Sequence, residues 1–274
     1  MTRPILIGLP YDASSSFLRG AAAAPAAIRA ALQSAAGNGW SERTGFVLGS
    51  DGLEDGGDLT VGAGPATRLT IEQHVRLVAA SGRPPILLGG DHSVTYPILR
   101  AIGPLHPKLT VLHIDAHADL YDEFDGDRYS HACPFARVME ERLVHHLVQV
   151  GIRTLTGDQA AQAARFGVEM IDMRAWADGA RPSIAGPVYV SLDLDGLDPA
   201  FAPGVSHREA GGLSVREVLS VLAAMNGPIV GADIVEYNPA QDVAGLTAHV
   251  AAKFVKELAG LMLRGPSAQI AGLP

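Results

Sequence analysis

Asp115, His117 and Asp119 occupy every second position at the end of the apolar run Leu112-His-Ile-Asp-Ala-His-Ala-Asp119. In extended backbone, alternate residues share a face, so these three metal-seeking side chains converge. Val188-Tyr-Val-Ser-Leu-Asp-Leu-Asp195 repeats the device, with Val188, Val190, Leu192 and Leu194 on one face and Asp193 and Asp195 on the other. Gathered carboxylates repel one another and are costly to desolvate, and a divalent cation between them is the simplest relief. With His92, which follows Gly89-Gly90-Asp91, the set holds four carboxylates and two imidazoles, enough for two cations bridged by shared carboxylates. Oxygen-dominated ligation without thiolate favours Mn²⁺ over Mg²⁺, Fe²⁺ or Co²⁺. Two such ions about 3.5–4 Å apart lower the pKa of a water between them from roughly 15.7 toward about 7, giving a hydroxide nucleophile at neutral pH. No side-chain nucleophile is then needed, and the sequence has no Gly-x-Ser-x-Gly elbow.

A site of this kind needs several strands that end together. Short apolar runs do alternate with Ala- and Leu-rich stretches of helical length: Ile5 to Leu9 then Ala24 to Leu32, Ile86 to Leu88 then Val94 to Ile102, Leu109 to Ile114 then Phe135 to Glu141. The series continues with Leu147 to Val150 then Gln159 to Phe166, Val188 to Leu194 then Val215 to Met225, and Ile229 to Val235 then Val243 to Leu263. This order predicts an α/β fold, a three-layer α-β-α sandwich around a mostly parallel sheet, as one domain over residues 1–274. A closed barrel would need eight regularly spaced units, and the Gly- and Asp-rich stretch from Asn38 to Pro65 fits that poorly; it reads as a surface excursion. In open α/β sheets, ligands bind beyond the carboxyl ends of the strands. The runs ending at Asp91-His92, Asp115, Asp193 and Asp233-Ile-Val-Glu236 place their polar residues there.

The 274 residues can bury a large core, and 47% hydrophobic with 18% charged residues is an ordinary soluble composition. A net charge of −8 without a Lys/Arg cluster argues against nucleic acid or an anionic membrane as partner. No run approaches the about 18 apolar residues of a membrane span. Cys133 is the only cysteine, which excludes an intrachain disulfide and a thiolate zinc site, and it is read as a packing residue. The short apolar run after Met-Thr-Arg-Pro is no signal sequence, so the expected location is cytoplasmic. Gly89-Gly90 lacks the company of a phosphate-binding motif.

Five blocks resemble the ureohydrolases, the family of arginase and agmatinase: Gly89-Gly-Asp-His92, Asp115-Ala-His-Ala-Asp119, Ser191 to Pro203, Gly211-Gly-Leu213 and Asp233 to Pro239. The resemblance runs from about Ile5 to Leu261. It implies an arginase-like fold, two Mn²⁺ per subunit, hydrolysis of a small guanidino substrate to urea and an amine, and a homotrimer or homohexamer. By the same resemblance the deeper ion takes His92, Asp115, Asp119 and Asp193, and the second takes Asp115, His117, Asp193 and Asp195. His131 matches the proton-shuttling histidine and Glu236 the acid that pairs with the guanidinium. Asp91 and Asp233 are expected to orient ligands without touching metal.

The segments Tyr121 to Glu140, Ala202 to Leu213, Ser14 to Gly20 and Asp242 to Leu258 look most like plant-type arginases, which points to L-arginine as substrate. Asp127 and Tyr129, in the first of these, are candidate substrate contacts. The vertebrate-type substrate loop is replaced by one beginning Leu120-Tyr-Asp122, and the turn after Gly151-Ile-Arg-Thr154 lacks that type's acidic pair. Agmatine, guanidinobutyrate and formiminoglutamate therefore stay as alternative substrates. A single-Zn²⁺ deacetylase-like hydrolase and a catalytically silent metal-stabilised protein are the rival classes. His113 shares the alternation of Asp115 and is a candidate to orient it, whereas His207 is read as a surface residue.

Overall fold

The structure, a computed structural model, describes residues 2–49, 52–62 and 64–264. The expected domain over 1–274 thus includes termini that lie outside the described residues. Eight strands form one sheet in the order β2-β1-β3-β8-β7-β4-β5-β6, with every pairing parallel. They are β1 (Ile5–Gly8), β2 (Glu54–Asp58), β3 (Pro85–Leu88), β4 (Thr110–Ile114), β5 (His146–Val150), β6 (Glu169–Ile171), β7 (Val188–Asp193) and β8 (Ile229–Val235). β2 and β6 are not paired with each other, so the sheet is open despite having the strand count of a barrel. The helices are α1 (Ala24–Leu32), α2 (Pro65–Ala80), α3 (Thr95–Ile102), α4 (Pro134–Glu140), α5 (Gly157–Phe166), α6 (Met173–Ala177), α7 (Val215–Ala224) and α8 (Leu246–Arg264).

Central strands are buried on both sides, and their alternation divides the core in two. Ile86, Leu88, Leu112, Val188, Val190, Leu192 and Ile234 pack with Ile28 of α1, Val221 of α7 and Phe254 of α8. Leu87, Val111, Leu147, Tyr189 and Val235 turn the other way, onto Ile71 of α2, Ile98 of α3 and Phe135 of α4. The three layers expected from the sequence follow directly. Two helices begin with capping boxes that fix their start, Thr156 with Gln159 for α5 and Ser214 with Glu217 for α7.

Four elements lie outside the expected alternation. β2, inside the supposed excursion, has the sequence Glu-Asp-Gly-Gly-Asp and no apolar residue. It pairs with β1 through its backbone, and its acids meet Arg29, Arg3 and Arg83. β6 and α6 are three and five residues long, too short to show a period. α2 is amphipathic with only Thr67, Ile71 and Val75 buried. Two strand ends also need correction. β4 stops at Ile114 and β7 at Asp193, after which Leu194–Gly196 turns as a 3-10 helix. Asp115, His117 and Asp119 therefore sit on the loop just past β4, and Asp195 in the 3-10 turn just past β7, not on the strands themselves.

Candidate metal centre and active site

β3, β8, β7 and β4 are neighbours in that order at the middle of the sheet, and all four present the expected site residues at or just past the carboxyl end. After β3 the chain presses so closely on the segment after β1 that a Cβ at Gly90 would overlap the Tyr11 carbonyl oxygen. Close backbone approach, not phosphate binding, accounts for the glycine. Asp91 caps the following turn, its Oδ1 accepting from Ser93 N at 3.1 Å, and delivers a fully buried His92 into the sheet's rim.

The hydrogen-bond chain behind His92 fixes its tautomer. Asp233 is acceptor for three hydroxyls: Ser191 Oγ at 2.7 Å, Tyr189 OH at 2.7 Å and Thr95 Oγ1 at 2.9 Å. Ser191 spends its proton on Asp233, so at 3.0 Å it accepts from His92 Nε2–H. His92 Nδ1 is then left with a lone pair. That atom lies 3.2 Å from Asp115 Oδ2, 3.0 Å from Asp119 Oδ2 and 3.2 Å from Asp193 Oδ2, yet makes no hydrogen bond. A buried lone pair among three carboxylate oxygens is a donor set that demands a positive charge. A proton would answer part of it: burial pulls the His92 pKa down, but Asp115, Asp119 and Asp193 hold it well above the ordinary imidazole value. A divalent cation fits the same four donors and neutralises more of their charge.

A second group lies beside the first. His117 Nδ1 is 3.4 Å from Asp115 Oδ1 and 3.1 Å from Asp195 Oδ2, so the two oxygens of Asp115 face different imidazoles. Asp193 Oδ1 accepts from Asp195 N at 2.8 Å and Asp195 Oδ1 from Ala116 N at 3.2 Å, which knots the ends of β7 and β4 together. Burial and the neighbouring Asp195 and Asp115 push the Asp193 carboxyl far above its usual range; burial raises Asp195 to about 6 against the pull of His117. Two groups of ligand atoms each fit within 4.8 Å: His92, His113 and Asp115, and Asp115, His117 and Asp195. In the first, Gln149 Nε2 donates to His113 Nδ1 at 3.0 Å, so His113 Nε2–H donates to Asp115 Oδ2 at 2.7 Å. His113 orients Asp115 and has no lone pair left for a cation.

Above these groups is a cavity of about 400 Å³, with His117, Asp119, Asp193, Asp195, His131 and Glu236 among its lining residues. His131 Nδ1 lies 3.1 Å from Glu236 Oε1, which also accepts from His92 N at 2.9 Å. Burial lowers the His131 pKa, but Glu236 outweighs it and lifts it to about 9. Burial raises Glu236, and His131 more than reverses that. Asp119 and Glu236 are held in the left-handed backbone region, at φ 51° and 62°. Strain of this kind clusters at functional sites.

The eight residues expected to carry metal and proton chemistry are thus gathered on one rim; the other expectations fare unevenly. Asp127 and Tyr129 are corrected. Asp127 is exposed and caps its own turn by accepting from Tyr129 N at 2.8 Å, while the Tyr129 ring lies under the Arg68 guanidinium at 3.9 Å, and neither lines the cavity. His207 is corrected in the opposite sense: it lines the cavity, its ring 5.2 Å from that of His131 and 5.9 Å from that of His117. Ser16, Thr154 and Thr156 also line it and were not singled out. Ser14-Ser-Ser16 follows β1, which borders β3, so the strand-end rule was the signal available for Ser16.

The sequence profile of the Arginase family matches residues 3–260. Arginase 1, mitochondrial, of Arabidopsis thaliana is 44% identical over 273 residues, covering 93% of this chain and 79% of that protein. Arginase 2, chloroplastic/mitochondrial, of the same plant is 42% identical, covering 94% and 80%. The solved structure of arginase from Medicago truncatula superposes with a TM-score of 0.90 at 41% identity, covering 95% of this chain and 87% of that one. These relatives also correct the expected cytoplasmic location, with which their organellar names conflict. The cues behind that expectation say little: the N-terminal apolar run Ile5–Gly8 is a buried sheet strand, and one buried cysteine does not distinguish one reducing compartment from another.

Proposed function

The chain belongs to the arginase family, and from that premise we propose that it hydrolyses the guanidino group of L-arginine to ornithine and urea. It is a hydrolase of carbon–nitrogen bonds in linear amidines. The observation that carries the reading is His92 Nδ1, buried without a hydrogen bond 3.0–3.2 Å from carboxylate oxygens of Asp115, Asp119 and Asp193, beside a cavity that also holds the His131–Glu236 pair. Two Mn²⁺ per chain are assigned, one to His92, Asp115, Asp119 and Asp193, the other to Asp115, His117, Asp193 and Asp195. When bound, the pair of cations supplies Lewis acidity that brings the pKa of a water toward about 7. Glu236 has Oε1 committed to His92 and His131, which leaves Oε2 for the planar guanidinium. His131, protonated at neutral pH, faces the same space and delivers a proton to the departing amine.

The same reading takes residues 1–274 as a single domain and the assembly as a homotrimer or homohexamer. A panel of arginine, agmatine, guanidinobutyrate and formiminoglutamate with the Mn²⁺-loaded protein tests it. Arginine should be turned over with the highest kcat/KM, with two Mn²⁺ per chain by elemental analysis; preference for agmatine, or a single Zn²⁺, would replace the proposal.

A further inference from the structure

The loop from Pro10 to Gly20 places Ser16 on the cavity wall and holds His131 at two points. The Ser14 carbonyl accepts from His131 N at 3.3 Å, and Ser16 Oγ lies 2.8 Å from His131 Nε2. The loop is pinned in its turn: Asp12 Oδ2 accepts from Gly20 N at 2.7 Å and from Ala22 N at 3.2 Å, and Ser14 N donates to Asp91 Oδ2 at 2.8 Å. With Nδ1–H directed at the Glu236 carboxylate, the Nε2–H of the imidazolium donates to Ser16 Oγ. Ser16 is exposed whereas His131 is buried, so the serine stands between the ring and the surface. The ring of His207 lies beside that of His131, with centroids 5.2 Å apart and an interplanar angle of 31°.

We propose that Ser16 is a positioning residue that aims His131 Nε2 and passes to it the proton with which solvent restores the imidazolium. The proposal rests on the role given to His131 above. After Nε2 has surrendered its proton to the leaving amine, the Ser16 O–H bond breaks, an Nε2–H bond forms, and Oγ takes a proton from solvent to rebuild the hydroxyl. One proton moves inward per turnover and the serine is unchanged.

The test uses Ser16→Ala and Ser16→Thr in the metal-loaded enzyme. For Ser16→Ala, kcat on arginine should fall about tenfold, with KM and metal content unchanged, and added imidazole should restore it as a diffusible proton donor. Ser16→Thr, which keeps the hydroxyl, should retain most of the turnover. Independently of turnover, NMR of ¹⁵N-histidine-labelled protein should show the His131 titration midpoint falling by about half to one unit in Ser16→Ala, the worth of one lost hydrogen bond to the charged form. Full kcat in Ser16→Ala, a loss that imidazole does not repair, or an unmoved His131 midpoint overturns the assignment. If His131→Asn keeps full turnover, the underlying reading has failed; if it loses turnover while Ser16→Ala does not, only the Ser16 assignment falls.

Discussion

His131 keeps its proton in a buried place because Glu236 stands 3.1 Å away, and this fixes the sign of its pH dependence. Its folded pKa of about 9 lies above the roughly 6.5 of an unfolded chain. Stabilisation from the pair is therefore complete below about pH 6.5 and disappears as the pH rises through about 9. A turnover that depends on the imidazolium should fall along that alkaline limb, and His131→Asn should lose the limb, lower kcat at neutral pH and leave the metal in place. Asp115→Asn and Asp193→Asn should instead lose metal and activity together, because each carboxylate faces His92 Nδ1 at 3.2 Å. Elemental analysis beside a pH profile separates the two classes; metal loss in His131→Asn would deny it the role of proton donor. Asp115 and Asp193 were legible because their spacing at strand ends restricts where they point, whereas the roles of His131 and Glu236 came through the family resemblance. Ser16 and His207 were not legible, since their place on the cavity wall depends on loop paths that no periodicity encodes.

Elements were legible in proportion to the apolar surface they bury. β8 was read to the residue, since Ile229–Val235 is buried almost throughout. β2 was invisible, being held by backbone pairing and arginines. The stretch after α1 is anchored by one buried acid on α8: Glu257 accepts from Ser41 Oγ at 3.0 Å, Glu42 N at 2.7 Å and Arg43 N at 3.1 Å. Glu257→Ala orphans these donors and should cost about 3 kcal/mol in urea unfolding, with kcat little changed. A loss below about 0.5 kcal/mol would mean that water replaces the carboxylate at no cost. Gly196 matters for a different reason. A Cβ there would come within 2.8 Å of Asp115 N and 3.0 Å of its Cα, so Gly196→Ala should shift Asp115 and weaken metal retention during dialysis.

At the level of the molecule, the two cores are joined across a rim that gathers like charges. Removing cations leaves Asp193 and Asp195 buried against one another, so chelation should lower Tm by roughly 10 °C if the metal is held about a thousandfold below its working concentration. An unchanged Tm would show that the carboxylates relax without cost. The pH response should also reverse. In the chelated protein Asp195, raised to about 6, contributes stability at low pH that is lost as the pH climbs from about 4 through about 6. Acidification from pH 7 to 5 should raise the chelated protein's Tm and lower that of the loaded protein, whose ligands must stay deprotonated. The parallel, open sheet was legible in the strand and helix alternation; its order was not, because β7 and β8 enter between β3 and β4 late in the chain.

An open sheet has two outer borders, and the one at β2 is built from Glu54, Asp55, Gly56, Gly57 and Asp58. Charged side chains, each already paired with an arginine, and a glycine pair with low strand preference make that border a poor template for self-templated growth by other copies of the chain. The plainest-looking five residues in the sequence thus guard colloidal solubility, and filling them with valines would invite fibrils before it disturbed the chemistry.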